Sequence, residues 1–374
     1  MVELGVAFLS YFIVFQFVPK KYLRYYFFIV SITLAMLAFY VIPDSSMDLY
    51  RYYDIISYYK EFTIKNIKFI LEFEPLSILY FFFVSRLPDE RIFSFINIFI
   101  IYGLSTNLIY KHAIRYELSK NAILISFMFL LFSVSFYLVV STVRSALVFV
   151  VFIYFSYLEL VEKKYTKLCW IIYVMLCLFH SSSFFLLIIR ILLLLKKKIP
   201  GKIIVFFTLV WMAFIPLIVN ILAKLNFSIF QRLLLKTSNY VGNLYQISDV
   251  YVCILEIVGF AVVYSLFLNK YKKDYKELDD FFLFINLLVA FTMGSFFITD
   301  IFKRFSMYLS FVAPLIVLML FKYKKYSKDN SEIYVLKKEQ VLQYMEIFTV
   351  LIIAIVSAVF YFLVHYKNLV FLFN

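Results

Sequence analysis

The sequence predicts an all-α polytopic membrane protein of about 11–13 transmembrane or half-membrane helices, and three observations predict it. Of its 374 residues, 64% are hydrophobic and 16% are charged, against about 45–50% and 25% in a soluble domain. The apolar residues gather into thirteen runs separated by short polar breaks. Those runs lack the ten-residue alternation of an outer-membrane barrel, and in lipid only helices and closed barrels satisfy every backbone group. Together these exclude a soluble enzyme, a disordered chain and a nucleic-acid binder.

The runs lie near 4–18, 25–42, 69–85, 92–110, 122–140, 145–161, 168–180, 183–195, 203–222, 251–268, 281–298, 305–321 and 345–365. No internal period appears, so 1–374 reads as a single integral membrane domain. No basic stretch precedes the first run and no small-residue cleavage site follows it, so an uncleaved anchor is expected. Cys169, Cys177 and Cys253 sit inside apolar runs and read as packing residues.

The net charge of +14 is read through the loops. Segments 19–24, 111–120, 162–167, 190–202, 269–280 and 322–343 carry 24 of the 37 Lys and Arg residues, which marks them as cytoplasmic. If instead every run between 43 and 140 spans once and 168–190 is one span, 111–120 and 162–167 move outward and the split is poorer, 21 to 16. In the preferred arrangement 44–91 stays on the outer side, so 69–85 is a re-entrant or interfacial helix. The run 168–195 crosses twice as two half-length helices turning at His180-Ser181-Ser182-Ser183. Residues 224–250 form an outer loop and 322–343 a cytoplasmic one. Lys196–Lys198 and the basic run 323–338 then act as topology signals, with a contribution from anionic lipid.

Polar residues at the outer ends of spans are the candidates for chemistry, since charge at membrane depth is costly unless paired or facing water. Asp48 follows the second run and shares a helical face with Tyr52 and Tyr53. Such an acid could bind a metal, act as a base or hold sugar hydroxyls, while the tyrosines also suit simple interfacial anchoring. Glu74-Pro75 opens a helix, because proline is favoured at its first position. Arg144 stands alone between two apolar runs, and its planar fork suits phosphate or carboxylate. His180 is a candidate base between the two half-helices. Arg304 and Tyr308 are neighbours on one helical face just after Asp300 and Lys303. Arg232 and Lys236 form a second basic pair in the outer loop that also carries Tyr240. There is no Walker motif, HExxH, CxxC or dinucleotide fingerprint, so no cofactor is expected. The Asp44/Asp48 pair leaves a divalent cation open.

Taken in order, Asp48 with Tyr52 and Tyr53, Glu74-Pro75, Arg144-Ser-Ala-Leu, Phe179-His180-Ser-Ser, and Arg304-Phe-Ser-Met-Tyr308 with Pro314 resemble the EpsG / Wzy group of bacterial polysaccharide polymerases. The resemblance implies a GT-C-like glycosyltransferase in the cytoplasmic membrane, with short periplasmic loops and an outward-facing site. It implies polymerisation of undecaprenyl-pyrophosphate-linked repeat units for an O-antigen, capsule or exopolysaccharide. A chain-length regulator and a flippase would be its partners in the bilayer. The chain departs from better-known O-antigen polymerases in lacking a very large periplasmic loop, which leaves the acceptor site open. On this reading Arg144, Arg304, Arg232 and Lys236 hold pyrophosphate. Tyr52, Tyr53, Tyr240, Asp300 and Tyr308 contact sugar, and His180, Asp48 or Glu74 is the base. Competing classes are a lipid-linked oligosaccharide flippase, a single-sugar lipid-dependent glycosyltransferase or ligase, and a membrane acyltransferase. A flippase should show two similar halves with charges at mid-depth, whereas the candidates here gather at one face.

Overall fold

A computed structural model describes residues 2–45, 47–63, 74–211, 247–270, 275, 277–296, 298–321, 333–365 and 370–371. Apart from one two-residue antiparallel pairing of Val41–Ile42 with Val370–Phe371, the described elements are helical. They are α1 (Val2–Phe17), α2 (Leu23–Phe39), α3 (Asp48–Tyr59), α4 (Pro75–Val84), α5 (Ile92–Arg115), α6 (Lys120–Ser133), α7 (Phe136–Ser141) and α8 (Val143–Leu160). They continue as α9 (Thr166–Phe179), α10 (Ser182–Leu194), α11 (Gly201–Leu209), α12 (Ile247–Lys270), α13 (Asp279–Gly294), α14 (Thr299–Met319) and α15 (Ile333–His365), with short 3-10 turns at 20–22 and 195–197. The fold is thus the all-α polytopic membrane architecture expected.

Five helices among the described residues are long and apolar enough to cross a bilayer: α2, α5, α8, α12 and α14. α14 and α8 form the centre, with 83% and 78% of their apolar stretches buried. α14 packs on α12 and α6, and α8 on α5 and α9. Ser126 Oγ of α6 donates to the Pro314 carbonyl of α14 at 2.6 Å. Outer helices instead present Leu9, Phe17, Tyr25, Phe28, Ile171 and Phe207 outward, which is the surface a lipid solvent requires.

Shorter helices place the polar residues. Pro75 takes the first position of α4 with Glu74 just before it, as its fixed φ and missing N–H favour. α4 has ten residues, about 15 Å at the helical rise and half the roughly 30 Å hydrocarbon core. The run 168–195 breaks at His180-Ser181 into α9 and α10, of 14 and 13 residues. α3 is held against the α4–α5 connection: Arg86 donates to the carbonyls of Tyr59, Lys60 and Phe62, and Lys60 pairs with Glu90 at 2.9 Å. Hydrogen bonds from Arg91 hold the Asp89 carboxyl in that connection below its usual range, and Lys60 does the same for Glu90.

Ion pairs Lys111–Glu162, Lys163–Asp280 and Lys196–Asp280 mark the end of the bundle reached by the C-termini of α5, α8 and α10. Arg144 lies at the other end of the 18-residue α8, about 27 Å away along the axis. Residues 224–246 and 322–332, within the two expected loops, lie outside the described residues; 247–250 begin α12 and 333–343 belong to α15.

Candidate functional site

Four segments distant in sequence meet at the N-terminus of α8. Arg144 Nη1 donates to Glu74 Oε2 at 3.2 Å, and the two side chains are only 13% and 14% exposed. The second carboxylate oxygen, Oε1, accepts the backbone N–H of Ser181 at 2.9 Å. The start of α4, the start of α8 and the α9–α10 break are therefore tied through one carboxylate. The guanidinium carbon of Arg144 lies 4.7 Å from the Tyr52 ring centroid and 5.2 Å from that of Phe81, and Tyr52 is within hydrogen-bonding reach of it. Its Nε is buried and has no hydrogen-bond partner among the described residues.

His180 sits beside this pair. Its Nδ1 accepts the backbone N–H of Ser182 at 3.1 Å, and its Nε2 lies 3.1 Å from Ser145 Oγ. A backbone N–H can only donate, so Nδ1 is the unprotonated nitrogen and Nε2 carries the proton toward Ser145. In this arrangement both ring nitrogens are occupied within the protein. The chain continues from Ser182 Oγ to the Tyr308 hydroxyl at 3.1 Å. The Tyr308 ring is stacked on Phe149 at 4.1 Å and its residue is fully buried, which leaves its hydroxyl as the group turned to the cluster. Arg304, one turn before Tyr308, is within electrostatic reach of both Tyr52 and Tyr308.

The structure thus gathers Glu74, Arg144, His180, Tyr52, Arg304 and Tyr308. Asp48, in the first turn of α3, ion-pairs with Arg51 on its own helix and reaches Tyr52 electrostatically at the edge of the group. Tyr53 turns elsewhere: its hydroxyl donates to Ser94 Oγ of α5 at 3.1 Å. Asp300 lies in the first turn of α14, one turn before Arg304. Arg232, Lys236 and Tyr240 lie outside the described residues. Among the described residues no three His, Cys, Asp or Glu side chains gather to hold a metal ion.

Several polar residues escaped the sequence reading. Ser145 and Ser182, which stand in the Arg144-Ser-Ala-Leu and Phe179-His180-Ser-Ser motifs without a role assigned to either, complete the His180 network. Glu256 of α12 is buried and accepts from Ser306 Oγ at 2.8 Å and the Tyr361 hydroxyl at 3.1 Å. Arg190, counted among the basic-loop residues, is instead buried inside α10. It holds Glu159 of α8 by two hydrogen bonds of 2.6 and 2.9 Å, with Trp170 and Tyr173 completing the carboxylate's shell. A lone charge within an apolar run was the available signal for all three.

These elements define a polytopic α-helical membrane protein with a buried cluster of charged and hydroxyl groups at one end of its central spans. Every member of that cluster falls within the match that identifies its kind: the chain belongs to the EpsG family, over residues 24–368. Membership points to a polymerase-type function in polysaccharide synthesis. No curated protein and no solved structure matches the chain.

Proposed function

We propose that this protein is a glycosyltransferase that polymerises undecaprenyl-pyrophosphate-linked oligosaccharide repeat units at the outer face of the cytoplasmic membrane, making an O-antigen, capsule or exopolysaccharide. The observation that carries the reading is Arg144, pinned by Glu74 and Tyr52, with a buried Nε left to donate and Arg304 nearby. Two guanidiniums at the end of a span suit the pyrophosphate of a lipid carrier whose tail remains in the bilayer. The cluster lies at the end of α8 opposite the Lys111, Lys163 and Lys196 pairs, which supports an outward orientation by the positive-inside rule.

In the proposed reaction Glu74 takes the proton of the acceptor sugar hydroxyl. The freed oxygen bonds to the anomeric carbon of the donor glycan. The bond from that carbon to the pyrophosphate oxygen breaks, and the leaving lipid pyrophosphate takes the electron pair. Arg144 and Arg304 stabilise the charge that grows on it, which is usually a large catalytic contribution. His180 orients the α9–α10 break and Ser145 rather than accepting the proton, because its Nδ1 already accepts a backbone N–H. Asp48, Asp300 and the hydroxyls of Tyr52 and Tyr308 are the sugar-facing groups, and Arg232, Lys236 and Tyr240 remain assigned to the outer loop.

Deleting the protein tests the reading through the surface glycan. A polymerase loss leaves single capped repeat units, whereas loss of a flippase leaves none. Wild-type polymer length and amount in normally expressed Arg144→Ala and Arg304→Ala strains would overturn the pyrophosphate assignment.

A further inference from the structure

A groove of about 270 Å³ runs between α2 and α5, at the end of the bundle opposite the Arg144 cluster. One end is polar, lined by Arg24, Asn107 and Tyr110, and the other is apolar, floored by Phe28, Phe99 and Gly103. From Phe99 to Tyr110 the α5 wall extends roughly 16 Å at the helical rise, enough for most of one acyl chain. The groove opens outward, since Phe28 is 55% exposed.

Its mouth is cationic and has no counter-ion among the described residues. Arg24 is exposed and makes no hydrogen bond or ion pair with the described residues, and no carboxylate lines the groove. The neighbouring cations are already engaged: Lys20 Nζ donates to the Leu118 carbonyl at 2.7 Å, and Lys21 lies over the Tyr22 ring. Asn107 is anchored by its amide donating to the Tyr154 hydroxyl at 3.1 Å. A fork-shaped donor above an apolar trough matches a phosphodiester carrying an acyl chain. Basic pockets between membrane helices recognise anionic head groups in this way.

We infer that the α2–α5 groove is a binding site for one anionic phospholipid, with its phosphate on Arg24 and Tyr110 and one acyl chain along Phe28 and Phe99. The site is separate from the proposed reaction and holds whatever the polymer made.

The test uses the full chain purified in detergent, with native mass spectrometry and thermal unfolding as readouts. The probes are phosphatidylglycerol, phosphatidylcholine and inorganic phosphate. One phosphatidylglycerol should be retained and should raise the melting temperature, with phosphatidylcholine and inorganic phosphate doing neither. Arg24→Gln should weaken phosphatidylglycerol binding about 5-fold, the equivalent of one lipid-facing cation. Lys21→Gln removes the same charge outside the groove and should leave binding unchanged. Gly103→Leu fills the trough and should also weaken binding. A Cβ there meets only Ser31 atoms at 3.9–4.0 Å, and leucine is the better helix former, so this variant keeps the fold. Equal retention of the two lipids, equal loss in Arg24→Gln and Lys21→Gln, or stabilisation by inorganic phosphate alone would each overturn the inference.

Discussion

Replacing Glu74 with glutamine separates its two roles. The substitution keeps the side-chain volume and an acceptor for the Ser181 N–H, but removes the charge facing Arg144 at 3.2 Å. Unit charges about 4 Å apart attract by roughly 4 kcal/mol at an effective dielectric of 20. The retained hydrogen bonds offset part of that, so a charge-assisted bond's worth, about 1.5–3 kcal/mol, is the expected stability loss. A proton acceptor in the transition state contributes roughly 10²–10⁴-fold in rate. Glu74→Gln should therefore cut polymerisation at least about 100-fold while the protein still inserts and accumulates. Glu74→Asp keeps the base but withdraws it by one methylene, and should fall between. The assay complements a deletion strain and measures polymer on a gel, normalised to tagged protein in the membrane, with thermal unfolding in detergent alongside. Wild-type polymer from Glu74→Gln would refute the assignment of the base. Polymer that falls only in proportion to protein abundance would refute it as well, since Glu74 would then be a strut.

Four further outcomes follow from the same contacts. His180→Asn can still accept the Ser182 N–H and donate toward Ser145, so it should retain far more polymer than His180→Ala; equal loss in both would restore His180 as a candidate base. Tyr308→Phe keeps the Phe149 stack but loses the bond to Ser182, at about 0.5–1.5 kcal/mol; a melting temperature as low as that of Tyr308→Ala would contradict this. Glu256→Gln should be close to wild type in unfolding, whereas Glu256→Ala removes one acceptor from each of the Ser306 and Tyr361 hydroxyls, which keep the Lys303 and Ser133 carbonyls, and should lose about 0.5–1.5 kcal/mol. Glu159→Ala strands the buried Arg190 at about 3–5 kcal/mol. Glu159→Leu with Arg190→Met should recover most of that in denaturant unfolding, and no recovery would show that the pair is needed for more than charge balance.

Local chemistry made much of the fold legible. Pro75 starts α4 because proline favours the first helical position, and the His180-Ser181 break was visible as a polar interruption in an apolar run. Arg144, Glu74, His180 and Arg304 stood out because an ionisable group costs most where the surroundings are apolar. The same rule would have found Glu256, Glu159 and Arg190. Tyr52 and Tyr53 are adjacent in sequence and looked equivalent, yet one faces Arg144 and the other Ser94. Their difference depends on which neighbouring helix each side of α3 meets.

Composition and hydropathy determine by themselves that this chain is helical and membrane-bound, with its few intramembrane charges set to be paired, because the bilayer penalises an open backbone or an unpaired charge residue by residue. The tertiary structure alone decides partnership. Glu74, Arg144 and Ser181 are separated by 70 and 107 positions along the chain, and periodicity carries no information over such distances. Only the packing of α4, α8 and the α9–α10 break brings one carboxylate between a guanidinium and a backbone amide. The proton position on His180 is decided in the same way, by the Ser182 N–H that the broken helix turns toward it.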